Sequence, residues 1–252
     1  MRDEVPTFDE RADWFDAHYG TTRGRIRLEL LVERILESFP DPPARILDAG
    51  GGSGAVSIPL AAHGYTVTVV DPSEGMLRVA ARRLADAGVE VRTERGSVDD
   101  IAARAPGPYD GICCHAVLMY LDDPTRALRT LRSQARPGGA LSLMEKNRDG
   151  LAVRPALRGD YEEARRVLDS PIAAGNLGIP NRARSVEEWH TLLAETGWTA
   201  RSWVGIRLFS DLAPDDLPPD HFEQLKELER EAGRREPYRS VARLIHIVAT
   251  AS

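Results

Sequence analysis

The sequence has 252 residues, 42% of them hydrophobic, and a formal net charge of −6, so it is long enough for one large globular domain and carries no overall basic field to attract nucleic acid. Its two cysteines, Cys113 and Cys114, are adjacent in an apolar run, which excludes a disulfide framework and marks no metal site. No apolar stretch approaches a membrane span, and the acidic N-terminus lacks the apolar core of a signal peptide, so we expect a cytoplasmic protein without a membrane partner.

The first 43 residues are predicted to form two helices that lie over the rest of the chain as a lid. We expect a short amphipathic helix at residues 9–18 and a second helix at 25–38, where apolar residues recur at helical spacing. Arg23, Arg25 and Arg27 lie at the start of the second helix, where the helix dipole disfavours cations unless an anion faces them. For Arg23 and Arg25, solvated surface charge is the alternative interpretation.

The segment 45–54, RILDAGGGSG, predicts a ligand cradle between a strand and a helix. The triplet Gly50, Gly51 and Gly52 follows a short apolar strand, and glycine lets a ligand lie against the backbone of such a turn. Gly50, Gly52 and Ala55 also fit the G-x-G-x-x-A spacing of NAD(P) sites. Asp48, however, would place a carboxylate beside a dinucleotide diphosphate. An acid there suits S-adenosylmethionine (SAM), which carries an ammonium and a sulfonium and no phosphate, so SAM is the predicted cofactor, with NAD(P) or a purely structural turn as alternatives.

The next strand and helix extend this prediction to the nucleoside. A β-branched strand at residues 66–70 ends at Asp71, about twenty residues past the glycines, where a carboxylate can accept both ribose hydroxyls. Met76, in a helix predicted at 73–87, could touch the adenine, with a core methionine as the equal alternative.

The third strand, predicted at residues 90–94, is also expected to end at the ligand crevice. Ser97, Val98 and Asp99 follow it and are candidates for the adenine ring and its amino group. A fourth strand at 111–116 carries His115 at its end.

The remaining pattern predicts the fold class, a Rossmann-like doubly wound parallel α/β sheet. Strands and helices alternate at residues 45–48, 55–63, 66–70, 73–87, 90–94, 111–116, 124–134 and, after a tight turn at 136–139, 140–145. Residues 146–184 break the pattern, with a helix at 160–168, and are expected to wall a substrate pocket. Elements follow at 185–195, 198–209, 219–235 and 241–249, with the C-terminal strand in an antiparallel pair closing the sheet edge. We therefore expect a lid at 1–43 and one domain at 44–252.

In its motifs the chain resembles the class I SAM-dependent methyltransferases and, within them, the bacterial tRNA 5-carboxymethoxyuridine methyltransferases. The matching motifs span most of the chain: YGTTRGRIR (19–27), ILDAGGGSG (46–54), HAVLMYLDDP (115–124), RPGGALSLM (136–144), GWTARSWVGIRLFSD (197–211) and EPYRSVARLIHIVA (236–249).

The resemblance implies a role for individual residues. It implies Arg27 on the methionine carboxylate of SAM, Gly50 and Gly51 at the methionine moiety, Asp71 on the ribose, Ser97 and Val98 near the adenine, and His115 at the sulfonium end. This chain departs from the family in two places. A lysine run and a Ser-Pro-rich segment are replaced at 170–184 by a stretch with only Arg182 and Arg184 as cations, and Glu145 and Lys146 stand where the family has tyrosine and phenylalanine. Because phosphate contacts supply much of nucleic-acid affinity, the lost lysines argue against tRNA.

The predicted function is methyl transfer from SAM to a small-molecule acceptor through a carboxylate or hydroxyl oxygen. The tRNA wobble-uridine carboxylate is the alternative acceptor, and a non-catalytic SAM-binding module is the alternative class. A carboxylate needs no base but would be held by an arginine, for which the candidates are Arg154, Arg158, Arg182, Arg207 and Arg239. For a hydroxyl or amine acceptor, His115 is the first candidate base, with His18 and His190 as alternatives. Tyr19, Tyr120 and Tyr238 could line the pocket.

Overall fold

A seven-stranded sheet in the order β3-β2-β1-β4-β5-β9-β8 forms the centre of the protein, in a computed structural model that describes residues 8–174 and 179–252. Its strands are β1 Arg45–Ala49, β2 Thr66–Asp71, β3 Arg92–Arg95, β4 Tyr109–His115, β5 Ala135–Lys146, β8 Trp198–Ile206 and β9 Leu244–Ala251, while β6 Ile172–Ala174 and β7 Pro180–Arg182 form a separate antiparallel hairpin. Strands β1 to β5 are parallel, and β9 pairs antiparallel with both β5 and β8. The predicted fold class is confirmed, with the C-terminal strand lying inside the sheet and β8 at its edge.

Helices cover both faces of this sheet. They are α1 Ala12–His18, α2 Thr22–Ser38, α3 Ser57–Ala62, α4 Glu74–Ala87, α5 Ile101–Arg104, α6 Pro124–Gln134, α7 Val153–Leu157, α8 Tyr161–Asp169, α9 Val186–Glu195 and α10 Pro219–Ala232. Side chains alternate between two apolar clusters, so the adjacent Cys113 and Cys114 point into opposite faces, both buried and unpaired. No helix in the described ranges is long and apolar enough to cross a membrane.

Several predicted strand boundaries differ from the structure, and two of these differences have a clear local cause. The turn predicted at 136–139 is a bulged start of β5, because Ala135 pairs with Tyr109 and Ala140 with Gly111. Strand β8 ends at Ile206 and not at residue 209, because Arg207 adopts a left-handed backbone with φ of 65°. The three backbone N–H groups that follow Arg207 donate to the Glu229 carboxylate and not to a strand.

The N-terminal segment lies against α4, beside the glycine loop. Asp9 accepts hydrogen bonds from the Ser73 hydroxyl at 2.8 Å and from the Gly75 N–H at 2.7 Å. Phe8, Ala12 and Phe15 pack on Met76 and Val79 of α4. In contrast, α2 covers the sheet itself and is joined to α10 by the ion pairs Glu29–Lys226, Glu33–Arg230 and Glu37–Arg234.

Residues 146–184 add a small layer after β5, where the sequence predicted an insertion. Its described part holds α7, α8 and the β6–β7 hairpin around a small apolar cluster that includes Leu151, Val167 and Ala183. Helix α8 confirms the helix predicted at 160–168, moved by one residue. Residues 1–7 and 175–178 of the predicted lid and insertion lie outside the described residues.

Candidate functional site

The glycine loop after β1 leaves no room for side chains on either side. Gly50 and Gly52 have φ of 73° and 54°, which favour glycine. A Cβ on Gly50 would lie 2.4 Å from the Val117 side chain, and one on Gly51 would lie 2.7 Å from the Asp48 carboxylate. The backbone of the loop is therefore the surface that a ligand would contact.

Two buried carboxylates support this loop. Asp71 accepts the N–H of Gly52 at 2.9 Å through one oxygen and that of Ser73 at 2.9 Å through the other, and each oxygen keeps a lone pair for a ligand. Asp48 lies below Gly51 and accepts a hydrogen bond from the Ser57 hydroxyl at 2.7 Å. Burial raises the pKa of Asp48 to about 6, and the nearby Asp71 carboxylate acts in the same direction. A cation bound at this loop would favour the ionised form of both groups.

The residues after β3 form part of the same edge, but two of their side chains already have partners. The N–H and hydroxyl of Ser97 both donate to Asp100 at 2.8 Å, and the exposed Asp99 pairs with Arg126 at 3.3 Å. Val98 is buried in the core. The backbone joins this turn to the glycine loop, since the N–H of Gly96 donates to the carbonyl of Asp71 at 3.1 Å.

Met76 lies between the glycine loop and the N-terminal helix. Its methyl group would be 2.8 Å from a Cβ on Gly52, and its other side packs on Ala12 and Phe15. The structure thus supports both interpretations of Met76, as a core residue and as a neighbour of the ligand cradle.

The loop after β4 is held in place by the buried carboxylate of Glu145. Its oxygens accept the backbone N–H groups of Val117 at 3.1 Å, Leu118 at 2.8 Å and Met119 at 3.2 Å. Burial raises the pKa of Glu145 to about 7, against the effect of those three donors. Ala116, just before them, has φ of 58°. This arrangement presses Val117 against the glycine loop and fixes the end of β4.

His115 is neutral in this setting. Its Nε2 lies 2.8 Å from the Ser142 hydroxyl, which lies 2.7 Å from Nε2 of His246. Burial lowers the pKa of His115 well below its ordinary value, and His246 and Arg27 add to the decrease. Burial also raises the pKa of Tyr120 to about 12, so the phenol stays protonated.

Of the three arginines at the start of α2, Arg27 is the one that lacks a carboxylate partner within residues 8–174 and 179–252. Its guanidinium lies 5.7 Å from the centroid of the Tyr19 ring. Arg23 pairs with Asp215 at 2.9 Å, and Arg25 lies 3.9 Å above the Phe222 ring and 3.7 Å from Glu29. Arg25 therefore fits the surface interpretation, whereas Arg27 keeps its charge without an acidic partner among the described residues.

Three arginines surround one carboxylate where β5, β9 and β8 end or begin, and a lysine lies in the electrostatic field of those arginines. We name Lys146, Arg154, Arg207, Arg243 and Asp211 the cation cluster. Asp211 accepts from Nε of Arg207 at 2.6 Å, and Nε of Arg154 and Arg243 lie 3.9 and 4.0 Å from its other oxygen. Lys146 donates to the amide oxygen of Asn181 at 2.6 Å.

The cation cluster is largely buried, with Arg154 and Arg243 half-buried, and it carries excess positive charge. Lys146 and Arg207 are 9% and 8% exposed, and Asp211 is 4% exposed. Burial lowers the pKa of Lys146 to about 7, and Arg243, Arg207 and Arg154 lower it further. Burial also lowers the pKa of His18 to about 4, and the positive charges of Arg207, Arg23 and Arg27 lower it further. His18 is therefore close enough to both Arg27 and the cation cluster to be affected by their charges. Buried like charges are unfavourable unless an anion joins them.

The sequence identified only part of this cluster. Of its five candidate arginines, Arg154 and Arg207 belong to the cluster, whereas Arg239 pairs with Glu236 at 2.5 Å and stacks on Trp203. Arg158 and Arg182 are exposed, Tyr238 is half exposed, and His190 lies on α9. Lys146, Arg243 and Asp211 were missed. The available signal was their position, since Lys146 ends β5, Arg243 directly precedes β9 and Asp211 closely follows β8.

Comparison with known proteins decides the family. Residues 22–202 match a family model described as a methyltransferase domain. A tRNA 5-carboxymethoxyuridine methyltransferase of Escherichia coli K12 is 34% identical over 249 residues, which cover 96% of this chain and 95% of that protein. The chain belongs to the class I SAM-dependent methyltransferases.

Two further comparisons of this methyltransferase concern less of its length or only its fold. A ubiquinone biosynthesis O-methyltransferase of Xanthomonas euvesicatoria is 37% identical over 116 residues, 46% of this chain and 48% of that protein. A crystal structure of magnesium protoporphyrin IX methyltransferase from Synechocystis, with bound SAH, aligns with a TM-score of 0.65 at 16% identity and covers 97% of this chain and 96% of its own. At 16% identity, this similarity shows a shared fold and nothing more specific.

Proposed function

We propose that this SAM-dependent methyltransferase methylates a carboxylate oxygen, and that the acceptor carboxylate binds in the cation cluster. The observation that carries this proposal is the excess of positive charge in the cation cluster, where the buried Asp211 is the acid that the three arginines share. An incoming carboxylate would neutralise part of that charge and accept bidentate hydrogen bonds from arginine.

The glycine loop and its surroundings fit SAM as the methyl donor. Buried acids favour a ligand with positive charge, and the backbone of Gly50, Gly51 and Gly52 offers a surface that side chains would block. In this proposal Arg27 binds the methionine carboxylate, Asp48 faces the ammonium and Asp71 accepts the ribose hydroxyls. Met76, Ser97 and Val98 line the adenine side, with Tyr19 beside Arg27.

Methyl transfer to a carboxylate needs alignment more than proton chemistry. When bound, SAM supplies a methyl group on a sulfonium. The acceptor oxygen attacks the methyl carbon in line with the C–S bond, and the sulfur leaves as a neutral thioether. The nucleophile is already ionised, so no side chain has to remove a proton. Arg154, Arg207 and Lys146 would hold the acceptor. The lowered pKa of His115 makes this histidine a weak base, which suits a step that needs none.

We infer that the acceptor is 5-carboxymethoxyuridine in tRNA. The full-length match to the Escherichia coli enzyme of that name supports this acceptor, which carries a carboxylate. Arg158, Arg165 and Arg182 are exposed on the layer beside the cluster and form no ion pair within the described residues. They would provide the phosphate contacts that the missing lysine run does not.

A small-molecule carboxylate is the second candidate. It is favoured by the net charge of −6 and by the pairing of many surface arginines with acids, for example Arg82 with Asp13, Arg95 with Glu74 and Arg126 with Asp99. Such pairs leave few cations for a long tRNA contact.

A methyl-transfer assay on two tRNA pools separates the candidates. One pool carries 5-carboxymethoxyuridine and the other carries the unmodified uridine, and nuclease digestion locates the methyl group. We expect methylation only of the first pool, and at least ten-fold less in Arg158→Ala/Arg165→Ala if the exposed arginines bind phosphate. No transfer to either pool, with transfer to small carboxylates, would favour the second candidate.

A further inference from the structure

The most exposed apolar side chains in the described part of the chain lie close together in sequence, in the layer that follows β5. Among the described residues, the three large hydrophobic side chains with the greatest exposure are Leu168 at 75%, Tyr161 at 73% and Leu157 at 65%. Leu157 ends α7, whereas Tyr161 and Leu168 lie on α8. Exposed apolar residues that are scattered singly are ordinary, but a concentration of them marks an interaction surface.

Helix α8 presents its part of this surface on one face. Tyr161, Arg165 and Leu168 are spaced i, i+4 and i+7, which places them on the same side of the helix, and all three are exposed. Ala164 and Val167 are buried on another side, where Val167 joins the small apolar cluster of the layer. We name Tyr161, Arg165 and Leu168 the α8 face.

The arginines of this corner are not neutralised by its acids. Arg165 forms no ion pair within residues 8–174 and 179–252, and neither does Arg158, which is exposed directly after α7. Glu163 is engaged in an ion pair within its own helix. By their spacing, Glu162 and Asp169 lie about a quarter turn away around the helix. Arg158 and Arg165 therefore have their charges available for an anionic ligand.

Helix α7 connects the α8 face to the cation cluster. Arg154, near the start of α7, belongs to the cluster, and Arg158 follows it by about one helical turn. Burial lowers the pKa of Arg154 and of Arg243, Asp211 acts against this effect, and the positive charge of Arg158 lowers both pKa values further. Tyr161 begins α8 directly after the turn that follows Arg158. The corner is therefore next to the proposed acceptor site.

An exposed tyrosine between unpaired arginines has the chemistry of a contact with single-stranded RNA. Unpaired bases stack on tyrosine rings, and arginines bind the phosphates between them. A second copy of the chain fits this surface less well. Helix α8 has nine residues and is about 13 Å long. Its face is therefore small beside the roughly 800 Å² that each partner buries in a stable protein interface.

We propose that the ring of Tyr161 stacks on an unpaired base of the acceptor RNA, near the nucleotide that is methylated, while Arg158 and Arg165 contact the phosphates that flank this base. Stacking tolerates any base, because every base has an aromatic face, but it requires a base that is not paired. The contact rests on the proposed tRNA acceptor and adds to it a selection for an unpaired loop. Tyr161 takes no part in the methyl-transfer step itself.

Binding of a fluorescein-labelled RNA hairpin, with 5-carboxymethoxyuridine in its loop, tests this contact without turnover. Fluorescence anisotropy with the full-length protein and SAH gives the Kd. Tyr161→Ala should raise the Kd about ten-fold. Tyr161→Phe, which keeps the ring, and Leu228→Ala, at an exposed side chain on α10, should bind as the wild type does. Equal Kd values for Tyr161→Ala and the wild type would overturn the proposal.

The salt dependence of the same binding separates stacking from charge. Tyr161→Ala removes no charge, so it should lower the affinity at every salt concentration and leave the slope of log K against log salt unchanged. Arg165→Ala should make that slope shallower by about 0.7, the value for one phosphate contact to a single strand. A loss of affinity in Tyr161→Ala that disappears at high salt would contradict stacking.

The results distinguish a failure of this contact from a failure of the proposed function. If the wild type methylates the hairpin and Tyr161→Ala binds it equally well, the tRNA acceptor stands and the stacking contact is wrong. If the wild type binds no hairpin and methylates only small carboxylates, both are wrong. Sedimentation velocity tests the other occupant of this surface. A dimer that Tyr161→Ala converts to a monomer would make the α8 face a contact between copies of the chain and overturn the proposal.

Discussion

Asp48 and Lys146 are buried where their charged forms are disfavoured. Burial raises the pKa of Asp48 to about 6 and lowers that of Lys146 to about 7, the latter with help from three arginines. Each group would gain from a ligand of opposite charge, an ammonium or sulfonium for Asp48 and a carboxylate for Lys146. The unfavourable burial of each charge lowers the stability of the ligand-free protein and is relieved when a ligand of opposite charge binds.

The acceptor step should depend on the protonation of Lys146. We expect kcat/KM for the acceptor to fall as the pH rises through about 7, because the lysine attracts an anion only when it is protonated. In Lys146→Met the dependence on this group should disappear and kcat/KM below pH 7 should drop by about ten-fold, equivalent to about 1.4 kcal/mol. Steady-state kinetics from pH 6 to 9 measure both effects. Lys226→Met, at an ion-paired lysine on α10, is the control, and the same fall with pH in Lys146→Met would rule out the assignment.

Asp71 should contribute to SAM binding. Asp71→Asn keeps an oxygen for the N–H of Gly52 but removes the charge, so we expect calorimetry to show SAM binding weaker by about 1–3 kcal/mol. Asp13→Asn, at an exposed pair with Arg82, should bind SAM as the wild type does. Equal losses in the two variants would contradict the ribose role of Asp71.

Asp48 should reduce the stability of the ligand-free protein. Its folded pKa of about 6 lies above the ordinary 3.8, so the folded state binds more protons and stability falls as the pH rises from about 4 to 6. Asp48→Asn should therefore be more stable at pH 7 by about 3 kcal/mol, the effect of about two pKa units, and should bind SAM more weakly. Denaturant unfolding at pH 4 and pH 7 tests this. If the variant were no more stable than the wild type at pH 7, burial of the ionised Asp48 carboxylate would not destabilise the folded protein.

Among the elements, two glutamates hold the two loops that border the cleft. Glu145 accepts three successive backbone N–H groups after β4, and Glu229 on α10 accepts three after β8. A left-handed residue, Ala116 or Arg207, precedes each set of donors. The first loop contacts the glycine loop, and the second places Arg207 in the cation cluster. Each half of the site is therefore held by its own buried glutamate, and we call Glu145 and Glu229 the two anchors.

Conservative changes at these anchors should separate the two binding functions. Glu145→Gln should raise the Kd for SAM about five- to ten-fold with little change in the acceptor KM. Glu229→Gln should do the reverse, because it loosens the loop that positions Arg207. Glutamine keeps one acceptor oxygen, which limits the loss of stability from unpaired N–H groups. Calorimetry for SAM and initial rates for the acceptor measure the two effects. If both variants changed both constants equally, the loops would not be independent.

The order of elements was predictable because each strand and helix has its own periodicity and turn residues. The glycine loop, Asp71 and the strand ends followed from that local pattern. The cation cluster did not, because it depends on β9 inserting antiparallel between β5 and β8, which brings Lys146, Arg207 and Arg243 together from distant parts of the sequence. The Glu145 and Glu229 contacts were missed for the same reason, because the backbone N–H groups that these two acids accept lie 19 to 28 residues away in the sequence.

In the whole molecule, the two halves of the site lie along one edge of the sheet. The glycine loop lies where the strand order reverses between β1 and β4, the usual ligand crevice of such sheets. The cation cluster follows on the side of β5, β9 and β8. The N-terminal segment reaches both halves, with Asp9 bonded to Ser73 and His18 in the field of Arg207 and Arg27. In the proposed function, the methyl donor and the anionic acceptor would therefore bind at adjacent places beside the N-terminal segment.

The nature of the bond that the enzyme makes tests this account most directly. After transfer of a radiolabelled methyl group from SAM to tRNA carrying 5-carboxymethoxyuridine, or to the small carboxylate that accepts it, mild alkali hydrolyses an ester but leaves ethers and methylamines intact. The account predicts that the label is released as methanol and that transfer falls at least ten-fold in Arg154→Gln, which removes one cation from the cluster. Label that resists alkali, with transfer unaffected by Arg154→Gln, would contradict it.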